Sequence, residues 1–181
     1  GEVGRTFVAA FFDAFGQLAQ RFAGALDKAA PAQLGQGAPD LAACGVLLLK
    51  LLASYLIGSV VGSLLIGRLR GVDIRQLGSG NAGATNALRT QGKAFAIGTA
   101  LIDVLKGVLA ALLIAPLGGV GAGGLGLPET QLACGIAAAL GHCYPLFHGF
   151  RGGKGAGTLF GALLALFPWA GLAVLGLWAL V

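Results

Sequence analysis

Four long apolar runs, at residues 46–67, 94–117, 131–147 and 159–181, constrain this chain more than any other feature. A helix needs about 20 residues to cross the hydrocarbon of a bilayer, and each run is close to that length. The third is the shortest and ends near Pro145. Of the 181 residues 56% are hydrophobic and only 10% are charged. Soluble domains carry roughly 25% charged residues, so a polar surface able to cover these runs in water is missing. The chain reads as all-α, a polytopic transmembrane helical bundle. Because it begins with Gly1 and stops at Val181 inside an apolar run, it is expected to be a fragment lacking C-terminal helices.

The charges give the runs an orientation. The net charge of +5 could suggest nucleic acid, but seven of the twelve Lys and Arg residues lie in two short segments beside apolar runs. Arg68, Arg70, Arg75, Arg89 and Lys93 follow the first run, and Arg151 and Lys154 follow the third. Residues 118–130 hold no Lys or Arg and only Glu129. The positive-inside rule then puts both basic loops on the cytoplasmic side and the amino terminus outside. Cys44, Cys134 and Cys143 are odd in number and lie in apolar stretches, where a thiol behaves as a small hydrophobe, so neither a disulfide framework nor a metal site is expected.

Residues 1–30 read as an amphipathic interfacial helix, with Phe7, Phe11, Phe15, Leu18, Phe22 and Leu26 at helical spacing. Residues 31–45 read as a linker and 46–181 as the membrane domain. Lys50 interrupts the first run near its outer end and is expected to snorkel to the headgroups. Asp103 and Lys106 fall in the middle of the second run, three residues apart on one helix face. Charges at that depth pair and face the bundle interior.

Two polar segments could carry chemistry. The first, from Gly71 to Arg89, packs glycines, hydroxyls, amides and arginines between two apolar runs. Glycines let backbone N–H groups converge on an anion, and Arg offers a planar fork to phosphate oxygens. The second, from Gly141 to Gly155, sets Gly152, Gly153 and Gly155 around Lys154 just before the fourth run, where a helix N-terminus would favour phosphate. Gly78-x-Gly80-x-x-Gly83 matches the dinucleotide fingerprint, with Asp103 downstream, but a membrane span precedes it where a strand is required. Gly153-Lys154 is not a phosphate-binding P-loop either, since His148 stands where its first glycine should and Gly155 replaces Ser or Thr. His142 and His148 have no acidic partner evident in the sequence. The residues alone thus reach phosphate binding at a membrane surface and stop short of a reaction.

The strings Tyr55-Leu-Ile-Gly-Ser59, Gly71-Val-Asp-Ile-Arg75, Gly78-Ser-Gly-Asn-Ala-Gly-Ala-Thr-Asn86, Asp103-Val-Leu-Lys-Gly107, Gly141-His142 and Gly152-Gly-Lys-Gly155 closely resemble, in order and spacing, the bacterial acyl-phosphate:glycerol-3-phosphate acyltransferase family (PlsY). The resemblance covers about residues 46–181. It implies transfer of a fatty acyl group from acyl phosphate to the 1-hydroxyl of glycerol 3-phosphate, giving lysophosphatidic acid and phosphate in phospholipid synthesis. It implies an enzyme of the bacterial cytoplasmic (inner) membrane, with no cofactor or metal and no nucleic-acid partner. By position Ser79, Thr85, Arg89 and Lys154 match the family's active-site residues. Gly78, Gly80, Asn81, Asn86, Gly152, Gly153 and Gly155 are expected at the substrate phosphates, with Asp103, Lys106 and His142 in support.

This chemistry suits a site without an obvious base. Acyl phosphate already carries a good leaving group, an enzyme gains much by aligning two anions, and a substrate phosphate oxygen can take the hydroxyl proton. Three departures from the family stand out. A further cytoplasmic motif with a histidine and an asparagine does not occur in these residues, so the chain as given is expected to be impaired. Gly155-Ala156-Gly157-Thr158 replaces a more usual run with Val-Ala-Thr after the glycine, and the amino-terminal segment has no counterpart. The competing readings are a transporter of a phosphorylated solute, which would need a midplane site, and an inactive membrane scaffold.

Overall fold

Small residues at helix crossings decide how this bundle packs. The structure is a computed structural model that describes residues 41–119 and 125–179. All of its regular structure there is helical: α1 (Leu41–Gly58), α2 (Gly62–Leu69), α3 (Ala84–Gln91), α4 (Lys93–Leu109), α5 (Leu127–Cys143), α6 (Ala156–Leu166) and α7 (Pro168–Ala179), with short 3-10 turns at Ile74–Gln76 and Leu146–His148. The amphipathic helix expected over residues 1–30 and the linker as far as residue 40 lie outside the described residues. Leu41 to Gly45, placed in that linker by the sequence, already belong to α1.

Two of the helices, Leu41–Gly58 and α4 with its extension to Ile114, are long and apolar enough to cross a membrane. The extension is a π-helical turn over Ala110–Ile114, in which the Ala115 N–H reaches the Ala110 carbonyl at 3.1 Å. Large apolar side chains such as Leu48, Leu49, Leu101, Leu105 and Leu113 face outward, while the interior holds Ala110, Ala115, Cys134 and Ala138. A Cβ on Gly107 would strike the Thr158 carbonyl of α6, and one on Gly161 the Val104 carbonyl of α4. Backbones that close exclude any side chain at the crossing, which is how helices associate where lipid removes the hydrophobic drive.

Two expected spans are not single helices. The first run, expected to be continuous over 46–67, breaks between Gly58 and Gly62, where Ser59 to Val61 leave helical geometry. The fourth, expected over 159–181, is divided at Phe167 (φ −132°, ψ 71°) into α6 and α7. Pro168 explains that division, because proline has no N–H to give and disfavours helix in the residue before it. The second run, expected from 94, begins as α4 at Lys93, and the third starts at Leu127, four residues before the expected 131. Lys50 also departs from expectation. It is buried rather than snorkelling, and its Nζ donates to the Gly119 carbonyl at 2.8 Å.

Candidate functional site

The break in the first run carries an ionic cluster. Interrupting a helix in an apolar interior exposes carbonyls at the end of one piece and amides at the start of the next, each costly without a partner. Lys106 Nζ donates to the Gly58 and Val60 carbonyls, both at 2.9 Å, and Asp103 Oδ1 accepts the Gly62 N–H at 3.1 Å. The two side chains lie 3.1 Å apart, as their three-residue spacing on α4 predicted. His142, in the last turn of α5, completes the cluster with Nδ1 at 2.8 Å from Lys106 Nζ and 3.3 Å from Asp103 Oδ1. The histidine for which the sequence offered no acidic partner therefore has one, brought by a different helix. All three side chains are buried.

Above the break, the first polar segment folds around one amide. Asn86 is buried, and its Oδ1 accepts the Ser79 N–H at 3.0 Å. Its Nδ2 lies within donating distance of the carbonyls of Ile74 (3.2 Å), Leu77 (2.9 Å) and Asn81 (3.0 Å). Gly78 (φ +57°) must be glycine, since a Cβ there would overlap the Asn86 side chain. Asn86 was expected to touch substrate phosphate. Its polar atoms are engaged by the loop backbone, so it shapes the loop that carries Ser79.

The second segment is held from both sides. The Gly152 and Gly153 N–H groups donate to the carbonyls of Cys143 and His142, both at 3.1 Å. Those two amides were expected to point at phosphate, and the end of α5 takes them because its last carbonyls lack helical partners. A Cβ on Gly153 would overlap His142 Nε2 and approach the Ala82 carbonyl to 3.2 Å, so this glycine seats one loop against the other. Arg75 adds a second tie: its guanidinium is bonded to Asp73 and donates to the carbonyls of His148 (2.9 Å) and Arg151 (3.2 Å). The hydrogen bond from Arg75 holds the Asp73 carboxyl below its ordinary range. Burial, reinforced by the Arg75 and Arg68 charges, pushes His148 down. Ser63 Oγ secures the same seam from α2 by donating to the Ala82 carbonyl at 2.9 Å.

The polar side chains with no hydrogen bond or ion pair among the described residues include the Ser79 and Thr85 hydroxyls, the Asn81 amide, the Arg89 guanidinium and the Lys154 ammonium. Ser79, Thr85, Arg89 and Lys154 are exposed and Asn81 is half-buried. Thr85 and Arg89 lie one turn apart on the same face of α3, whose buried face carries Asn86 and Ala87. Gly80 (φ +72°) sits in the first loop and Gly155 (φ +74°) immediately precedes α6. Sequence reasoning missed Arg75, Ser63 and the helix break. The glycine and serine pairs Gly58-Ser59 and Gly62-Ser63 inside an apolar run were the available signal for the break.

A family model described as glycerol-3-phosphate acyltransferase matches residues 48–181. The chain belongs to the glycerol-3-phosphate acyltransferase family. A member from Deinococcus radiodurans is 50% identical over 126 residues, covering 69% of this chain and 60% of that protein. Another from Thioalkalivibrio sulfidiphilus is 47% identical over 132 residues, covering 72% and 61%. The crystal structure of PlsY, an integral membrane glycerol 3-phosphate acyltransferase, in its glycerol 3-phosphate form matches with a TM-score of 0.61 at 38% identity, over 70% of this chain and 60% of that one. The chain thus spans about three fifths of the length of the curated relatives it matches, and like that structure it is an integral membrane protein.

Proposed function

We propose that the protein containing this chain transfers a fatty acyl group from acyl phosphate to the 1-hydroxyl of glycerol 3-phosphate, releasing lysophosphatidic acid and phosphate. The observation that carries the reading is the unpartnered set of Ser79 on the first loop, Thr85 and Arg89 on α3 just after it, and Lys154 on the second loop, which Arg75 and Gly153 tie to the first. Two cations and two hydroxyls left without protein partners beside an apolar bundle suit a phosphate-bearing substrate with an acyl tail. The PlsY structures of the same family were solved in glycerol 3-phosphate and lysophosphatidic acid forms, which supports the substrate and product assigned to this chain.

In this reading Arg89 and Lys154 hold the two phosphate groups close despite their mutual repulsion, and Ser79, Asn81 and Thr85 orient their oxygens. The glycerol hydroxyl oxygen attacks the acyl carbonyl carbon, the bond from that carbon to the phosphate oxygen breaks, and the hydroxyl proton passes to a phosphate oxygen. Alignment of two bound reactants and stabilisation of developing negative charge supply the rate, so no protein base is required. The apolar bundle receives the acyl chain. Both loops face the cytoplasm of a bacterial cell, following the positive charges on them.

The test is acyl transfer by the purified full-length protein, with palmitoyl phosphate and glycerol 3-phosphate, followed by detection of lysophosphatidic acid. Product is expected with acyl phosphate and not with acyl coenzyme A, and Lys154→Ala is expected to remove most of it. Full activity in that variant would remove the second loop from the site. Orientation is checked by cysteines placed at the exposed positions Gln76 and Arg151 in a background lacking native cysteines. A membrane-impermeant reagent should reach both from the cytoplasmic side only; opposite sidedness would exclude a shared site.

A further inference from the structure

The buried cluster at the helix break and the loop that carries Lys154 meet at one side chain, His142. Lys106 offers three N–H donors and has four acceptors around it: the carbonyls of Gly58 and Val60, Asp103 Oδ1 and His142 Nδ1. An ammonium has no lone pair, so the 2.8 Å approach of Nδ1 requires the imidazole to accept there. The competing arrangement, with Nδ1–H donating to Asp103 at 3.3 Å, would set two donors against each other at the shorter distance. With Nδ1 as acceptor, the ring proton of neutral His142 sits on Nε2. That edge of the ring lies against Gly153, where an added Cβ would overlap Nε2.

We propose that His142 is a positioning residue: Lys106 fixes its tautomer, and the ring edge that carries Nε2–H packs against Gly153 and sets where the 152–155 segment, and with it Lys154, comes to rest. The inference deepens the acyltransferase reading and rests on it for the role of Lys154. It also gives the Asp103 and Lys106 pair a task at the site, since the same ammonium that caps the broken helix selects the imidazole proton. Both outcomes of the ionic cluster follow from its location where α1, α4 and α5 converge.

The first arm of the test needs no substrate. In full-length protein labelled with ¹⁵N-histidine, with His142 assigned by its loss in His142→Gln, the ring nitrogens near neutral pH should report protonated Nε2 and unprotonated Nδ1. A protonated Nδ1, alone or in an imidazolium, overturns the proposal. The second arm compares two amides: Asn places its group near Nδ1 and keeps a partner for Lys106, while Gln reaches the Nε2 position. His142→Asn should raise KM for glycerol 3-phosphate and lower kcat by roughly ten- to a hundred-fold combined, as expected when a binding group is misplaced by about an ångström. It should also speed tryptic cleavage after Lys154, and His142→Gln should recover most of both. An Asn variant with unchanged kinetics and unchanged proteolysis overturns the proposal. If the unsubstituted protein transfers no acyl group, the acyltransferase reading fails by itself, and the tautomer and proteolysis measurements still decide this one.

Discussion

The buried cluster at the helix break and the exposed loops above it use similar residue types to opposite ends. Lys106 and Asp103 lie in the apolar interior with their donors and acceptors engaged by the Gly58 and Val60 carbonyls, the Gly62 amide and His142. Arg89 and Lys154 lie on the surface with no protein partner among the described residues. Burial is what separates them. An unpaired charge inside the bundle would be too costly to keep, whereas at the surface water holds the charge until a substrate anion replaces it. A polar residue in this protein is therefore diagnosed by what its side chain already binds.

The strongest challenge to that contrast is to unpair the interior. Lys106→Ala should leave Asp103 charged and two carbonyls unmet, destabilising the protein by about 3–5 kcal/mol in thermal unfolding in detergent. Apolar replacement of both Asp103 and Lys106 should fail to restore stability, because the termini of α1 and α2 would still lack partners. A double variant as stable as the parent would show that the pair is not what satisfies the break.

Arg89→Ala should do the reverse. Transfer is expected to fall roughly 100-fold, as for loss of a charge that stabilises the reacting phosphates. Stability should move by no more than about 0.5 kcal/mol, since no described residue binds this exposed side chain. Kinetics and unfolding measured on one preparation separate the two effects.

Asn86→Ala should fall between these cases. Its amide organises the first loop, so stability should drop by about 1–3 kcal/mol and activity should fall with it. A variant that lost transfer while keeping the parent's unfolding temperature would return Asn86 to direct substrate contact.

The smallest expected effect concerns pH and the tie between the loops. His148 is held below its ordinary value of 6.5, so its neutral form is favoured in the fold. Its contribution is full above that value and is lost as pH falls through the lower folded one. Asp73, held below 3.8 by Arg75, contributes above that value and loses its share only in stronger acid. Amide exchange in residues 145–155, corrected for intrinsic rates, should therefore quicken as pH falls below 6.5, while α4 is unchanged. Equal acceleration in α4 would mean that the whole bundle loosens.

Much of this could be read from the chain alone, and the limits have physical causes. Apolar run lengths gave the helical class, and the spacing of Asp103 and Lys106 gave their pairing, because a helix puts residues three apart on one face. Asn86, Gly152 and Gly153 were expected at phosphate, and in the fold their polar groups have protein partners. Their residue types suit phosphate, but whether an amide is free depends on which carbonyls the fold brings beside it. The helix break was hidden for a similar reason, as Gly58 to Val61 read as an uninterrupted apolar run until Lys106 and Asp103 arrive from another helix to satisfy its open ends.

By itself, then, the sequence determined that this chain forms apolar helices with two basic, glycine-rich loops between them, since hydrophobicity, helical period and charge placement act locally along the chain. Only the tertiary structure decided which polar groups remain open to a ligand. Hydrogen-bond partners for Lys106 and His142 come from segments distant in sequence, and satisfaction of a buried donor or acceptor is a property of the assembled fold.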